Sequence, residues 1–237
     1  YECLTHINQR IIAFGKYAGI AGAYNTIIAY GIKNNLFNLK RLNQYKDTED
    51  LYNFTSSFNI KAPIKILIIG DGRVARGAVE LLEAFNIKRV SNDDYKVKNF
   101  ISPVYCQLSV KDYVRKKDHK DFKQEEYFNF PEEFESNYDQ FSSKTDILIN
   151  AAYWDPKSPK LFEEDDLNKS FRAKIIGDIS CDIDGAIPCT KIASTIAEPF
   201  FDYCISSKKI DKPFSKVENI TIMSIDNLPS ELPRDSS

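Results

Sequence analysis

The chain has 237 residues, is 43% hydrophobic and 28% charged, and carries a formal net charge of −2. Such a length holds one large domain, or a domain and part of another, and the composition is that of a folded globular chain. The balanced charge argues against a nucleic-acid surface or a polybasic membrane anchor. Five scattered cysteines with no C-x-x-C pair argue against a disulfide framework or a structural zinc site, so free thiols in a reducing, cytoplasmic setting are expected.

Residues 1–15 read as a polar lead-in, a short strand and a glycine, and 18–34 as a helix rich in Ala and Gly. Asn25 and Thr26 interrupt its apolar run, which is too short and polar to span a bilayer. No signal peptide is recognisable at the start. The chain opens on Tyr1 rather than Met and stops at LPRDSS, and is read as a piece of a longer protein. A second helix is expected over 48–58, with Leu51 and Phe54 on one face.

PIKILIIG, residues 63–70, is a β-branched apolar run, as expected of a strand buried on both faces of a parallel sheet. A helix follows over 73–85, with Val74, Val79, Leu81, Leu82 and Phe85 near a 3.6 period, then a strand over 87–90. Between them Gly70-Asp71-Gly72-Arg73-Val74-Ala75 fits G-x-G-x-x-[G/A]. Gly70 permits the tight turn, Gly72 lets the backbone approach a pyrophosphate, and Ala75 lets helix and strand pack closely. The helix start adds unpaired N–H groups and a positive dipole end. The strand–turn–helix context makes this a binding site for NAD or NADP. The cofactor-binding residues expected here are Gly70, Gly72, Arg73 and Val74, although Arg73 serves equally well as a solvated helix-start charge.

An acid near the end of the next strand would bind an NAD ribose. That end reads Lys88-Arg89-Val90-Ser91-Asn92, with Asp93 and Asp94 slightly late, so NADP is as much in view as NAD. Residues 93–144 alternate charge with aromatics and are expected as a solvated insertion that can also cover a site. Strands resume at 146–151, 174–179 and 219–225, each followed by small or polar residues. Ligands of open parallel sheets sit at such strand ends. The fold class is therefore α/β, a Rossmann-type doubly wound parallel sheet.

QRIIAFGKYAGIAGAYN, GDGRVARGAVELL, DILINAAYWDPKSPKLF with GDISCDIDGAIP, and MSIDNLPSELPRDSS together resemble the saccharopine dehydrogenase (lysine-forming) and lysine-ketoglutarate reductase family, relatives of alanine dehydrogenase. The charged segment from VKDYVRKK onward resembles the insertion of the reductase branch. The resemblance runs through nearly the whole chain in the same order. It implies substrate contacts from Arg10 and Phe14, cofactor contacts from Tyr153 and Ile179, and a triplet near the substrate formed by Ser180, Cys181 and Asp182. It also implies that Ile225, Asp226, Asn227 and Leu228 close over the nicotinamide side.

On the residues alone, the plainer readings lead: Asp226 caps a following turn, Asp182 and Asp184 stabilise the turn at Gly185, and Arg10 is a surface charge. The family's acid–base lysine and histidine precede the QRIIAFG segment and have no counterpart here, so the catalytic residues are unassigned. The aspartate of the NAD-using branch is not clearly matched either.

The resemblance thus implies an NAD(P)-dependent oxidoreductase acting on the C–N bond of an amino acid or secondary amine. This chain is expected to be mainly its cofactor-binding portion: 1–15 a connector from an N-terminal catalytic domain, 16–237 the Rossmann domain, and the chain by itself inactive. An alanine dehydrogenase-like enzyme and a catalytically silent NAD(P)-binding module are the alternatives. An interaction protein using the charged insertion is a further one. His6 and His119 read as solvent-facing, and Cys181 has no histidine to make it a nucleophile. No metal is expected. The expected partners are a small amino-acid substrate and, for assembly, a second copy of the chain.

Overall fold

A computed structural model of the chain describes residues 5–6, 9–10, 13–168 and 170–236, the side chains of 5, 6, 9, 10 and 168 excepted. A small antiparallel pair, β1 (Thr5–His6) and β2 (Gln9–Arg10), precedes α1 (Gly15–Lys33) and α2 (Thr48–Ser57). Then come β3 (Lys65–Ile69), α3 (Arg73–Ala84), β4 (Lys88–Arg89), α4 (Asn92–Val97) and β5 (Val104–Leu108). The charged segment follows as α5 (Val110–Tyr113), β6 (Val114–Lys116), α6 (Gln124–Asn129), β7 (Phe134–Ser136) and α7 (Asp139–Ser142). The remainder is β8 (Ile147–Asn150), β9 (Ile175–Asp178), β10 (Phe200–Cys204), β11 (Lys209–Asp211), β12 (Ile220–Met223) and α8 (Pro233–Ser236).

The central sheet has the order β11-β10-β12-β9-β8-β3-β5-β4. From β12 to β4 every pairing is parallel, and β10 runs antiparallel to both β12 and β11. β3 lies inside, flanked by β5 and β8, and is buried along its whole length. Its alternate side chains feed two apolar layers, Ile66 and Ile68 one, Leu67 and Ile69 the other, as the two-residue period of a strand requires. The first layer is covered by α1, α2 and α3; the second packs on the Tyr95, Tyr138, Phe141, Phe162 and Phe171 rings.

α1 is buried on nearly all sides, from Gly19 through Gly31. It touches α3 so closely that a Cβ on Gly19 would lie 1.9 Å from the Val74 carbonyl oxygen, and one on Gly77 2.0 Å from that of Lys16. The Ala/Gly-rich sequence is thus the condition for this contact, and the contact fixes the start of α3.

The stretch expected as an insertion, 93–144, contains a strand of the central sheet. β5 pairs with β3 from Lys65↔Val104 to Ile69↔Leu108. Charged neighbours on both sides hide its short apolar run, VYCQL. β4, expected as the second sheet strand, is instead the exposed edge beyond β5. Cys106, Cys181, Cys189 and Cys204 are free thiols. Among the described residues no helix is long and apolar enough to cross a membrane, and no cluster of His, Cys, Asp or Glu could hold a metal ion.

Candidate functional site

The parallel strands bring the C-terminal ends of β5, β3, β8, β9 and β12 to one rim. Gly70 leaves β3 with φ of +107°, a conformation that side-chain-bearing residues resist. Its N–H donates to the Leu108 carbonyl at 2.8 Å, its carbonyl accepts from Gln107 Nε2 at 3.1 Å, and a Cβ there would approach the Ala151 oxygen at 3.0 Å. The turn is therefore locked between β5 and β8.

Gly72 is the N-cap of α3 and offers no side chain to its first-turn amides. A Cβ at Gly72 would meet nothing within 4 Å, so the space beside this N-cap is open. Open amides at a helix start are what an anionic phosphate requires. Ala75, fully buried, lets α3 descend directly onto the core.

Two cavities flank this turn. One, of about 400 Å³, lies on the β5 side and is lined by Gly70–Gly72, 109–111, Tyr113, Phe122, Tyr127, Phe128 and 151–153. The other, of about 770 Å³, is lined by Phe14, Arg73, Val74, Tyr153, Asp226 and Asn227 together with Ala13, Ala18, Pro229 and Ser230. Tyr153, 89% exposed, borders both. A separate groove of about 740 Å³ lies among residues 117–171, mixes lysines with carboxylates and shares no residue with the turn.

Six expected site residues, Phe14, Arg73, Val74, Tyr153, Asp226 and Asn227, thus meet in one cleft. Others do not reach it with their side chains. Ile179 packs on α1, where a Cβ on Gly22 would lie 2.5 Å from it; Ile225 and Leu228 are core residues at 1% and 2% exposure. The side chain of Arg10 lies outside the described residues, as does that of His6. His119 is exposed.

Ser180, Cys181 and Asp182 follow β9 and are not among the residues lining the cleft; Ser180 belongs to a polar network centred on Asp178. The carboxylate of Asp178, fully buried, accepts from Asn150 Nδ2 at 2.9 Å, Ser180 Oγ at 2.9 Å and Thr190 Oγ1 at 2.6 Å. Burial raises its pKa, and the three donors oppose that. Cys181, at φ of +55°, points its Sγ to the Ser224 carbonyl at 3.0 Å. Burial first, then the carboxylates of Asp178, Asp226 and Asp182, push this thiol up to about 11, so it stays protonated. Asp182 accepts the Gly185 N–H through its backbone carbonyl at 2.9 Å, closing the turn.

The segment after β12 is a lid-like strap built by three-residue spacing. Leu228–Glu231 is a 3₁₀ turn, in which residues i and i+3 share a side. Leu228 and Glu231 therefore point inward, leaving Asp226, Asn227 and Ser230 at the cleft. Buried Glu231 accepts from Asn25 Nδ2 at 3.2 Å and pairs with Arg41 at 3.2 Å. The turn's N-cap is Asn227, without a side-chain bond, and among the described residues Asp226 has no hydrogen-bond partner; it is not used as a cap.

Residues 88–94, where the sequence suggests a ribose contact, lie on and after β4, which is the edge strand beyond β5 rather than the neighbour of β3. Ser91 caps α4 by accepting the Asp94 N–H at 3.2 Å, while Asp93 and Asp94 pair with Lys96 and Lys98. The strand beside β3 is β5, so the residues next to the glycine turn are Ser109, Val110 and Lys111. Asp178, Thr190 and the rings of Phe122, Tyr127 and Phe128 were not singled out from the sequence. Only the tertiary fold brings them to the rim.

No protein-family model matches the chain. Curated relatives match over nearly all of it: alpha-aminoadipic semialdehyde synthase of Arabidopsis thaliana at 24% identity over 97% of the chain, and the mitochondrial alpha-aminoadipic semialdehyde synthases of Mus musculus and Bos taurus, each at 26% identity over 98% and 100%. The chain spans 25%, 29% and 30% of the lengths of these relatives. Among solved structures, an L-alanine dehydrogenase superposes with a TM-score of 0.51 at 12% identity, covering all of this chain and 54% of that one. The chain is thus similar from end to end to these synthases, and its sheet is that of a Rossmann-type α/β fold.

Proposed function

We propose that this chain is the dinucleotide-binding part of an NAD(P)-dependent oxidoreductase acting on the C–N bond of an amino acid or secondary amine. The observation that carries the reading is the open glycine turn at the start of α3, with a cavity on either side of it. The end-to-end similarity to alpha-aminoadipic semialdehyde synthases supports lysine-ketoglutarate reductase and saccharopine dehydrogenase chemistry over alanine dehydrogenase chemistry.

The residues present fit a dinucleotide. The first-turn amides of α3 receive the pyrophosphate, and Arg73, without an ion-pair partner among the described residues, adds a cation beside them. Phe14 and Val74 give the larger cavity apolar surface, while Asp226 and Asn227 give its rim polar atoms to orient a substrate amine. When bound, the nicotinamide supplies the hydride-transfer chemistry. Among the described residues that line this cleft there is neither lysine nor histidine, so the proton-transfer group is expected outside this lining. That same observation favours the catalytically silent reading of the isolated chain.

The cofactor is read as NADP rather than NAD at the end of β5. The Asp112 carboxylate is already held by the Ser109 N–H at 2.8 Å and Ser109 Oγ at 2.7 Å, so it is engaged where an NAD ribose would need it. Lys111 is exposed, lines the cavity and has no ion-pair partner among the described residues. Titration with NADPH and NADH, followed by energy transfer from Trp154, the single tryptophan, tests both points. Binding of neither overturns the reading. Lys111→Ala should weaken NADPH about tenfold, the loss of one charged contact, and leave NADH within about twofold. The free thiols suit any reducing compartment, the cytoplasm and the mitochondrion named for the mouse and cattle relatives alike.

A further inference from the structure

One wall of the smaller cavity comes from the charged segment after β5 rather than from the sheet or its helices. Its rings are Phe122, Tyr127 and Phe128, which line the same cavity as the glycine turn. They are held from behind. Phe134, buried to 1% exposure, meets Phe122 at 5.8 Å and Tyr127 at 5.3 Å, both edge-on. Tyr127 donates from its hydroxyl to Ser158 Oγ at 3.2 Å, and Lys116 on β6 pairs with Glu126 at 2.7 Å. β6 and β7 form the ladder that carries the wall.

Despite this support, Phe128 stays 66% exposed, and Phe122 and Tyr127 are only half-buried. Rings fixed in place yet uncovered, beside a phosphate-binding turn, are the arrangement that receives a planar base. A base stacks on an aromatic face without needing charge or a hydrogen-bond code. The cavity's 400 Å³ lies within the range of small-ligand pockets. It also lies on the β5 side of the turn, whereas Phe14, expected at the substrate, lines the cavity on the other.

We propose that the aromatic wall of Phe122, Tyr127 and Phe128 is the platform for the adenine ring of the dinucleotide, so that the charged segment is part of the nucleotide site. This rests on the dinucleotide reading above and deepens it. The wall and the α3 amides together define a site for an adenosine 5′-diphosphate group, and the larger cavity is left for the nicotinamide half.

The test is calorimetric titration of the chain with ADP, with nicotinamide mononucleotide and with NADPH. Phe128→Ala should bind ADP and NADPH about tenfold more weakly, the size of one lost base–aromatic stack, with nicotinamide mononucleotide unchanged. Phe128→Trp should restore ADP affinity and show quenching of the new indole on binding. Phe130→Ala, at an exposed ring outside the cavity, should change nothing. The exposure of Phe128 keeps these variants folded, which unchanged melting without ligand would verify. Wild-type binding of NADPH with equal ADP affinity in Phe128→Ala overturns the platform alone; no NADPH binding by the wild type overturns the dinucleotide reading with it.

Discussion

Glycine is a weaker helix cap than aspartate, and Gly72 starts α3 with nothing to hold the first-turn amides. Gly72→Asp would supply a capping carboxylate and a favourable charge at the dipole's positive end, worth about 0.5 kcal/mol. The same carboxylate would fill and repel the phosphate site. The expected result is a melting temperature equal to or about 1–2 °C above wild type, with dinucleotide affinity reduced more than tenfold. Gly70→Ala should behave oppositely in stability, since φ of +107° and a 3.0 Å approach to the Ala151 oxygen cost about 1–2 kcal/mol. Equal binding by Gly72→Asp would mean that the turn holds no phosphate. At this scale the turn was legible because its chemistry is local: two glycines, an alanine, a strand before and a helix after. Asp178 and Thr190, 12 residues apart and joined by one 2.6 Å bond, offered no local pattern to read.

At the scale of elements, α1 and α3 were readable from composition and period, and their seam explains the composition. Gly77→Ala would drive a methyl toward the Lys16 carbonyl at 2.0 Å, and overpacking of this kind costs about 1–3 kcal/mol. Because α1 also touches Val74 in the first turn of α3, dinucleotide affinity should fall with the melting temperature. A lower melting temperature with unchanged affinity would separate the seam from the site. β5 escaped the sequence reading because five residues of strand sit among charges, and partner choice in a sheet is non-local. The expectation that β4 lies beside β3 followed from that single omission. The strap after β12 carries its own prediction. Burial raises the pKa of Glu231, with Asn25 and Arg41 opposing, so the folded chain holds this proton more tightly than the unfolded one. The resulting stability is complete below the ordinary carboxylate range and is lost as pH rises through the raised value. Glu231→Gln keeps an acceptor for Asn25 without the charge. Its urea midpoint should therefore change less between about pH 5 and pH 8 than that of the wild type. An equal or steeper change would rule out Glu231 as the titrating group.

For the molecule as a whole, binding and turnover come apart. If the glycine turn holds the pyrophosphate and the aromatic wall the adenine, as proposed, both lie in this chain with the Phe14–Asp226 cleft, and a dinucleotide should bind it and stabilise it. At a ligand concentration of about 100 times Kd, the gain is about 2.7 kcal/mol. For a chain of this size that raises the melting temperature by about 5–10 °C. Turnover needs in addition a group of suitable pKa placed at the reacting nitrogen. Cys181 is held protonated, and the buried Asp178 is enclosed by three donors away from the cleft lining. On the proposed reading, saccharopine or alanine with NAD(P)⁺ should give no measurable NAD(P)H from this chain, at concentrations where the thermal shift is complete. Turnover by the chain itself would require a proton-transfer group within it and would overturn the separation of binding from chemistry. A missing thermal shift would remove the binding half instead.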